Sequence, residues 1–290
     1  MSRPAPRHRP RKRFGQHFLA PQWAQKVVAA IAPAPGDVIL EIGPGQGALT
    51  RPLAATGVPI LAVEVDRDLV AALAAEVPPN VTIISGDILK TDVVPFLYGL
   101  GSQSSPGEAG RPRPPRRVRV VGNLPYNLTT PILFRLGKLQ EEHGVFFDAT
   151  LMVQREVADR LAARPRSKDY GVLTVSMQLA GRIERLLNLP PGAFKPAPKV
   201  WSSVVRLEFG PPPVRIADRV LFEKVVRAAF SQRRKTLANS LKSLVPNPAE
   251  VLDGAAIDPR RRAETLSLEE LARLTNQCAG TLSTRPNEGT

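Results

Sequence analysis

Cysteine and histidine are nearly absent from this 290-residue sequence, and it has no long apolar run. The single cysteine, Cys278, excludes an intrachain disulfide and a cysteine-based metal cluster, which is typical of a protein from a reducing cytoplasm. The three histidines, His8, His17 and His143, are scattered without a metal-ligand spacing. No apolar run approaches the ~18–20 residues that span a bilayer. We therefore expect neither a metal site nor a membrane protein.

Acidic residues are scarce relative to basic ones. The 26 Asp and Glu stand against 40 Lys and Arg, which gives a net charge of +14 and favours a polyanionic partner. Nucleic acid is the first candidate and an anionic membrane surface the second. Residues 1–13 carry six Lys or Arg and no acid, which predicts a disordered basic arm. Their composition also resembles a transit peptide, but three prolines disfavour an amphipathic helix, so we prefer a nucleic-acid-binding arm.

Strand-like and helix-like segments alternate from residue 37 onward, which predicts a doubly wound α/β sheet with parallel strands. Residues 18–31 are expected to form a helix. The Pro/Arg-rich stretch 99–117 is expected to be a loop, and a solvated insertion is preferred over an RNA-contacting strap. After three prolines at 211–213 the pattern becomes helical. The predicted organisation is an arm at 1–13, an α/β domain at 14–210, a smaller helical domain at 211–278 and a flexible tail at 279–290.

The stretch EIGPGQG, residues 41–47, follows a predicted strand and opens a helix. Glycines at 43, 45 and 47 let the backbone approach a ligand and direct N–H groups at it. The third glycine is out of place for a dinucleotide-binding fingerprint, so a pyrophosphate ligand fits poorly. Glu41, just before the loop, suits an amino-acid cofactor better than a phosphate.

Two more acids follow the next two strands. Glu64 ends the second strand, where a carboxylate can accept both ribose hydroxyl protons of an adenosine. Asp87 ends the third strand, where it can accept a hydrogen bond from the adenine amino group. Either acid alone is more often a solvated turn residue or a helix cap, but serial placement at strand ends favours one pocket. Adenosine without phosphates, together with an amino acid, describes S-adenosylmethionine.

The stretch VGNLPYN, residues 121–127, leaves a further strand through an amide, a proline and an aromatic ring. These are ordinary turn residues, so the motif alone is weak evidence. With a methyl donor beside it, the Asn123 side-chain oxygen and the Leu124 carbonyl could accept both N–H bonds of an adenine amine. Pro125 would fix the turn, and Tyr126 would offer a stacking face for an extruded base.

Eight motifs, taken in order, resemble those of the bacterial small-subunit ribosomal RNA adenine dimethyltransferases. They are KRFGQHFL (12–19), EIGPGQGALT (41–50), AVEVDRDL (62–69), GDIL (86–89), VGNLPYN (121–127), MVQREVADRL (152–161), FKPAPKVWSSVVRL (194–207) and AFSQRRKTLANSL (229–241). The resemblance covers roughly residues 11 to 277. It implies a Rossmann-like class I S-adenosylmethionine-dependent methyltransferase domain with a smaller C-terminal α-helical RNA-binding domain. It also implies transfer of four methyl groups to two adjacent adenosines in a hairpin loop near the 3′ end of 16S rRNA, during 30S assembly.

The resemblance also implies roles for particular residues. The cofactor would be lined by His17, Leu19, Gly43, Gly45, Glu64, Asp87 and Asn123, and the target base would be held by Asn123, Leu124, Pro125 and Tyr126. Phe194 resembles a second aromatic near that base, and a core anchor is an equal alternative. His17 stands where many relatives have Asn, and both side chains form hydrogen bonds.

Other functions stay open at this point. Enzymes that methylate large-subunit rRNA and confer macrolide resistance share the cofactor motifs, whereas FKPAPKVWSS and the basic C-terminal helices favour the small-subunit function. A DNA adenine methyltransferase would carry a proline where Leu124 stands. A non-catalytic assembly factor with this fold is a third possibility, against which the intact Glu64, Asp87 and Asn123 argue. The expected protein is a cytoplasmic monomer that acts on the 30S subunit or its precursor.

Overall fold

The computed structural model describes residues 16–102 and 117–283, which form two compact units. The first unit comprises Met1–Ala158 and Arg182–Phe209, and the second comprises Asp159–Gly181 and Gly210–Thr290. The predicted arm, most of the predicted 99–117 loop and the end of the predicted tail lie outside the described residues. No helix of the described ranges is long and apolar enough to cross a membrane.

A seven-stranded sheet forms the centre of the first unit. Its strands are β2 (Asp37–Ile42), β3 (Ile60–Glu64), β4 (Val81–Ser85), β5 (Arg117–Asn123), β6 (Phe146–Gln154), β7 (Gly181–Leu189) and β9 (Ser202–Phe209), in the spatial order β4-β3-β2-β5-β6-β9-β7. The pairs from β4 to β6 are parallel, and β6 pairs with β9 antiparallel. The chain adds β3 and β4 on one side of β2 and β5 on the other. In such sheets ligands bind where the order reverses, at the carboxyl ends of the strands.

The helices of the first unit follow its strands. They are α1 (Pro21–Ile31), α2 (Thr50–Ala54), α3 (Arg67–Ala74), α4 (Val94–Ser102) and α5 (Thr129–His143), with α6 (Arg155–Leu161) beginning in this unit. Strands β2 and β3 are buried along their whole length, as expected of parallel strands covered on both faces. Asp66 caps α3 by accepting a hydrogen bond from the backbone N–H of Asp68, which fixes where the chain turns after β3.

The second unit is helical. It contains α7 (Val172–Ala180), α8 (Arg219–Phe230), α9 (Leu237–Ser240), α10 (Pro248–Gly254) and α11 (Leu268–Ser283), with short 3-10 turns at 241–243 and 263–265. Leucine and valine side chains from these helices form one core, in which Cys278 is fully buried. Apolar residues at helical spacing on α8 and α11 explain why the two helices pack together.

The structure corrects four expectations. Residues 159–181 belong to the helical unit instead of the α/β domain, because α7 packs on α8. Phe18 and Leu19 lie in a short strand, β1 (Phe18–Leu19), that pairs antiparallel with β8 (Phe194–Lys195), so the predicted helix starts only at Pro21. The predicted 99–117 loop starts later than expected, since α4 continues to Ser102, whereas the strand predicted from residue 117 does begin at Arg117. The predicted tail starts later as well, because α11 continues to Ser283.

Candidate active site

A cleft of about 1030 Å³, its open mouth included, lies at the carboxyl ends of β2, β3, β4 and β5. Ten of the eleven site residues predicted from the sequence belong to the predicted cofactor site, to the NLPY turn or, for Asn123, to both. All ten line this cleft: His17, Leu19, Gly43, Gly45, Glu64, Asp87, Asn123, Leu124, Pro125 and Tyr126. The eleventh, Phe194, does not line it. The switch in strand order therefore brings together acids, glycines and an amide that are far apart in sequence.

The glycine-rich turn after β2 is shaped by a backbone that only glycine adopts easily. Gly45 has φ +57°, and a Cβ added there would lie 3.2 Å from the ring of Phe18. Its N–H donates to Glu64 Oε2 at 3.0 Å, which ties the turn to the end of β3. The turn is thereby held with its backbone at the floor of the cleft.

Glu64 is a buried carboxylate, 6% exposed, at the end of β3. Each of its oxygens accepts a backbone N–H: Oε2 from Gly45 at 3.0 Å and Oε1 from Asp66 at 2.9 Å. Burial raises its pKa, and these N–H donors oppose that rise. A carboxylate oxygen has lone pairs for more than one donor, so the group can also accept hydroxyl protons from a ligand in the cleft.

Glu41 is the most deeply buried acid of the cleft lining. It is 1% exposed, and within the described ranges its Oε2 has no hydrogen-bond partner. Burial raises its pKa to about 7; the nearby Thr50 hydroxyl opposes that rise, and repulsion from Glu64 adds to it. A buried acceptor without a partner is costly, and a positively charged ligand group would satisfy it. This is the feature of the site that best matches an amino-acid ammonium group.

Asp87 follows β4, and its position is fixed from both sides. The N–H of the preceding Gly86 donates to the Glu64 carbonyl at 2.8 Å, and Asp87 Oδ1 accepts the N–H of Leu89 at 3.0 Å. Asp87 Oδ2 has no donor among the described residues and lies on a side chain that lines the cleft. It can therefore accept a hydrogen bond from a ligand amine.

The residues at the end of β5, Gly122-Asn123-Leu124, are set by the close packing of β5 against β2 and by the cleft beyond it. A Cβ on Gly122 would lie 2.8 Å from the Ile42 carbonyl oxygen, so only glycine lets β5 approach β2 this closely. The side-chain amide of Asn123 lies 2.6 Å from the carbonyl oxygen of His17. A carbonyl oxygen only accepts, so the amide Nδ2 must face it and Oδ1 is left as an acceptor.

The backbone carbonyls of Leu124 and Pro125 differ in whether they already accept a hydrogen bond. The Pro125 carbonyl accepts from the Leu128 N–H at 2.9 Å and from Thr129 Oγ1 at 3.1 Å, which leads the chain into α5. The Leu124 carbonyl receives no hydrogen bond from any residue of the described ranges. Two acceptors, Asn123 Oδ1 and the Leu124 carbonyl, are thus left on adjacent residues of the cleft wall.

The segment before α1 completes the cleft wall. Pairing of β1 with β8 sets Phe18 opposite Lys195. His17 Nδ1 lies 2.7 Å from the Pro196 carbonyl, so this nitrogen carries the proton. The His17 ring stacks on one face of Tyr126, with ring centroids 5.4 Å apart. Tyr126 Oη lies 2.8 Å from Ser202 Oγ, and burial raises its pKa, so the phenol stays neutral.

Phe194 was expected either near the target base or in the core. Its side chain is 4% exposed and packs in the core with Leu19 and Val27, which favours the core anchor of the two alternatives. Sequence reasoning also missed Phe18 in the cleft wall and Ser202 behind Tyr126. Nothing local in the sequence indicates either role, because both depend on pairing between β1 and β8 or on the start of β9.

The fold and the site define a class of protein. A sheet of this order, a glycine turn after β2, acids at the ends of three consecutive strands and a cleft without a phosphate-binding fingerprint are the features of a Rossmann-like S-adenosylmethionine-dependent methyltransferase. The residues present fit that cofactor, since Glu41, Glu64 and Asp87 offer acceptors for its ammonium, ribose and adenine groups.

The chain belongs to the ribosomal RNA adenine dimethylase family, whose model matches residues 7–279. It is 44% identical over 280 residues to ribosomal RNA small subunit methyltransferase A of Aromatoleum aromaticum, covering 94% of this chain and 95% of that one. It is 42% identical over 276 residues to the protein of the same name from Pseudomonas aeruginosa, with 94% and 96% covered. The chain is therefore an rRNA adenine dimethyltransferase that uses S-adenosylmethionine.

Two solved structures have the same fold. A dimethyladenosine transferase from Plasmodium falciparum matches with a TM-score of 0.68 and 22% identity, over 91% of this chain and 98% of that one. The 23S rRNA methyltransferase ErmE matches with a TM-score of 0.60 and 24% identity, over 90% and 99%. At these identities the likeness concerns the fold, and it confirms the predicted α/β class.

Proposed function

We propose that the protein dimethylates N6 of two adjacent adenosines in a hairpin loop near the 3′ end of 16S rRNA, during assembly of the 30S subunit. The observation that carries the proposal is the pair of acceptors on Asn123 and Leu124, which lie in the wall of the cofactor cleft. Relatives named for the small subunit, above 40% identical over more than 90% of both chains, support the choice of subunit. A cytoplasmic monomer is part of the same proposal.

The cofactor would be held by residues that the strand ends bring together. Glu64 would accept its ribose hydroxyls, Asp87 its adenine amine and Glu41 its ammonium group. The remaining contacts would come from His17, Leu19, Gly43, Gly45 and Asn123. The cofactor supplies an electrophilic methyl group on a sulfonium, and the protein supplies the orientation of the nucleophile.

Asn123 and Leu124 would prepare that nucleophile. An exocyclic adenine amine is a poor nucleophile because its lone pair is delocalised into the ring. If Asn123 Oδ1 and the Leu124 carbonyl each accept one N–H, the nitrogen is biased toward a pyramidal form with its lone pair free. Orientation of this kind supplies much of the rate without a shifted general base. Tyr126, with one face on His17, would stack the extruded base on its other face.

Dimethylation places a further demand on the same acceptors. In the first transfer the nitrogen takes the methyl group, the sulfonium becomes a neutral thioether, and the nitrogen loses one proton to solvent. It then keeps a single N–H, so one acceptor suffices in the second step and the pocket must admit a methyl group. A side-chain amide can rotate away more easily than a backbone carbonyl. Asn123, however, is held through Nδ2 by the His17 carbonyl, so we expect the pocket to accommodate the methyl group beside Leu124.

The substrate itself would be held by basic surfaces outside the cleft. In the helical unit Arg233, Arg234, Lys235, Arg260 and Arg262 contribute positive charge that phosphates can neutralise. Binding through the backbone would position the rRNA, and the cleft would select the base.

The test is which ribosomal subunit becomes methylated. Purified protein and cofactor with a labelled methyl group are mixed with 30S and 50S subunits that lack the modification, and the RNA is digested to nucleosides. Dimethyladenosine in 30S rRNA alone, with four methyl groups per subunit, is expected. Label in 50S rRNA instead would assign the chain to the large-subunit enzymes. Binding to 30S subunits without any label would assign a non-catalytic assembly role.

A further inference from the structure

An exposed aromatic side chain stands beside the cleft in the first unit. Trp201 is 48% exposed, whereas its neighbour Ser202 is fully buried and lies 2.8 Å from the hydroxyl of Tyr126. Consecutive Cα atoms are ~3.8 Å apart, so the Trp201 side chain starts one residue away from the contact that supports Tyr126, the ring proposed to stack the target base. A tryptophan of this exposure buries a large area when it finds a partner, and it contributes little to the core.

The backbone of Trp201 is held in place. Its carbonyl accepts the N–H of Arg155 at 2.9 Å, at the point where β6 runs into α6. The other end of the same loop is anchored by the Pro196 carbonyl, which accepts from His17. The indole therefore extends from a loop that is fixed at both ends. Binding through it costs little backbone entropy, because this loop is already ordered.

The loop that carries Trp201 is basic. Residues 194–203, FKPAPKVWSS, contain two lysines and no acid. Lys195, Lys199 and Arg155 are all exposed, and none forms an ion pair among the described residues. An exposed aromatic ring among unpaired cations is what proteins use to bind single-stranded nucleic acid: bases stack on the ring while the cations contact phosphates.

We propose that Trp201, with Lys199 and Arg155, is a stacking platform for a nucleotide that flanks the target adenosine in rRNA. The inference rests on the proposed function, because a base extruded into the cleft necessarily brings its neighbours to the rim next to Ser202 and Tyr126. Trp201 would hold the rRNA hairpin loop open and fix its register on the protein. The two adjacent adenosines could then enter the cleft in turn. It acts as a positioning residue and does not touch the reacting amine.

The chain offers a direct optical test, since it contains only two tryptophans. The Trp23→Phe variant reports on Trp201 alone, and the Trp201→Phe variant reports on Trp23 alone. Each is titrated with a synthetic RNA hairpin that has two adjacent adenosines in its loop, while binding is followed separately by anisotropy of a label on the RNA. Quenching of the Trp201 emission on binding is expected. Binding of the RNA with unchanged Trp201 emission would overturn the platform.

Affinity provides the second arm. Trp201→Ala should weaken hairpin binding about tenfold, and Trp201→Phe should restore most of it because a phenyl ring still stacks. Phe96→Ala is the matched control: Phe96 is equally exposed, at 47%, but lies on α4 and does not line the cleft, so its loss should leave affinity unchanged. Equal affinities for Trp201→Ala and the wild type would refute the proposal.

Failure of the platform and failure of the proposed function are distinguishable. If the wild type methylates 30S subunits while Trp201→Ala binds and methylates as well as the wild type, only the platform is wrong. If the wild type leaves 30S rRNA unmethylated, the proposed function is wrong, and the platform falls with it.

Discussion

Replacement of Glu41 by Gln should change how stability depends on pH. Glu41 is 1% exposed with one unpartnered oxygen, and burial raises its pKa from 4.5 to about 7. The folded state therefore holds its proton more tightly than the unfolded state. The stability associated with the protonated acid is complete below pH ~4.5 and is lost as the pH rises through 7. Glutamine keeps the size of the side chain and does not titrate.

The expected magnitude follows from the pKa difference. A rise of about 2.5 pKa units corresponds to a full change on the order of 3 kcal/mol, of which roughly 2 kcal/mol falls between pH 5 and pH 8. Over that range the wild type should lose about this much free energy of unfolding relative to Glu41→Gln. Above pH 8 the difference between the two proteins should level off.

The assay is urea unfolding of both proteins at several pH values, followed by tryptophan emission. Trp23 and Trp201 both lie in the first unit, so the emission reports on the unit that contains Glu41. The difference between the two proteins removes the contribution of every other titrating group. A difference that stays constant from pH 5 to pH 8 would refute the raised pKa, and a difference of the opposite sign would refute the desolvation argument.

Two further predictions concern the glycine turn and the basic arm. Gly45→Ala should weaken cofactor binding about tenfold or more and cost about 1 kcal/mol of stability, because Ala resists a positive φ and would press on Phe18; isothermal titration is the measurement. Gly57→Ala, with φ +80° and no atom within 4 Å of the added Cβ, should cost similar stability but leave cofactor affinity intact, and equal cofactor losses in both variants would contradict the account. Deletion of residues 1–10 removes three arginines and should lower the slope of log affinity for RNA against log salt by up to about three, with cofactor affinity unchanged. An unchanged slope would exclude an RNA role for the arm.

Much of the sheet and the cofactor cleft follows from local sequence signals. The run DVILEI predicts β2 with the bounds that the structure has, Asp37–Ile42, because a parallel strand buried on both faces is mostly apolar instead of alternating apolar and polar residues. Acids at strand ends predict a shared pocket because parallel strands place their carboxyl ends along one edge. Glu64 and Asp87 therefore line one cleft, as expected.

What the sequence could not predict depends on distant partners. Phe18 and Leu19 fit a helical pattern with the residues after them, yet they pair with Phe194 and Lys195, some 175 residues away along the chain. The same pairing buries Phe194 and adds Phe18 to the cleft. The assignment of α7 to the helical unit likewise rests on its packing against α8, which no local pattern records. The raised pKa of Glu41 required the burial that only the folded sheet provides.

Single-turnover methylation of 30S subunits by Asn123→Ala is the most direct test of the central claim, that acceptors on Asn123 and Leu124 orient the adenine amine. The substitution removes the side-chain acceptor and keeps the Leu124 carbonyl, Tyr126 and the basic surface. We expect the rate to fall roughly a hundredfold or more while RNA affinity changes little and cofactor affinity falls modestly, since the lost hydrogen bond acts mainly in the transition state. Dimethylation at a near-normal rate would contradict the claim, as would equal losses in RNA binding and rate, which would mean that Asn123 only shapes the fold.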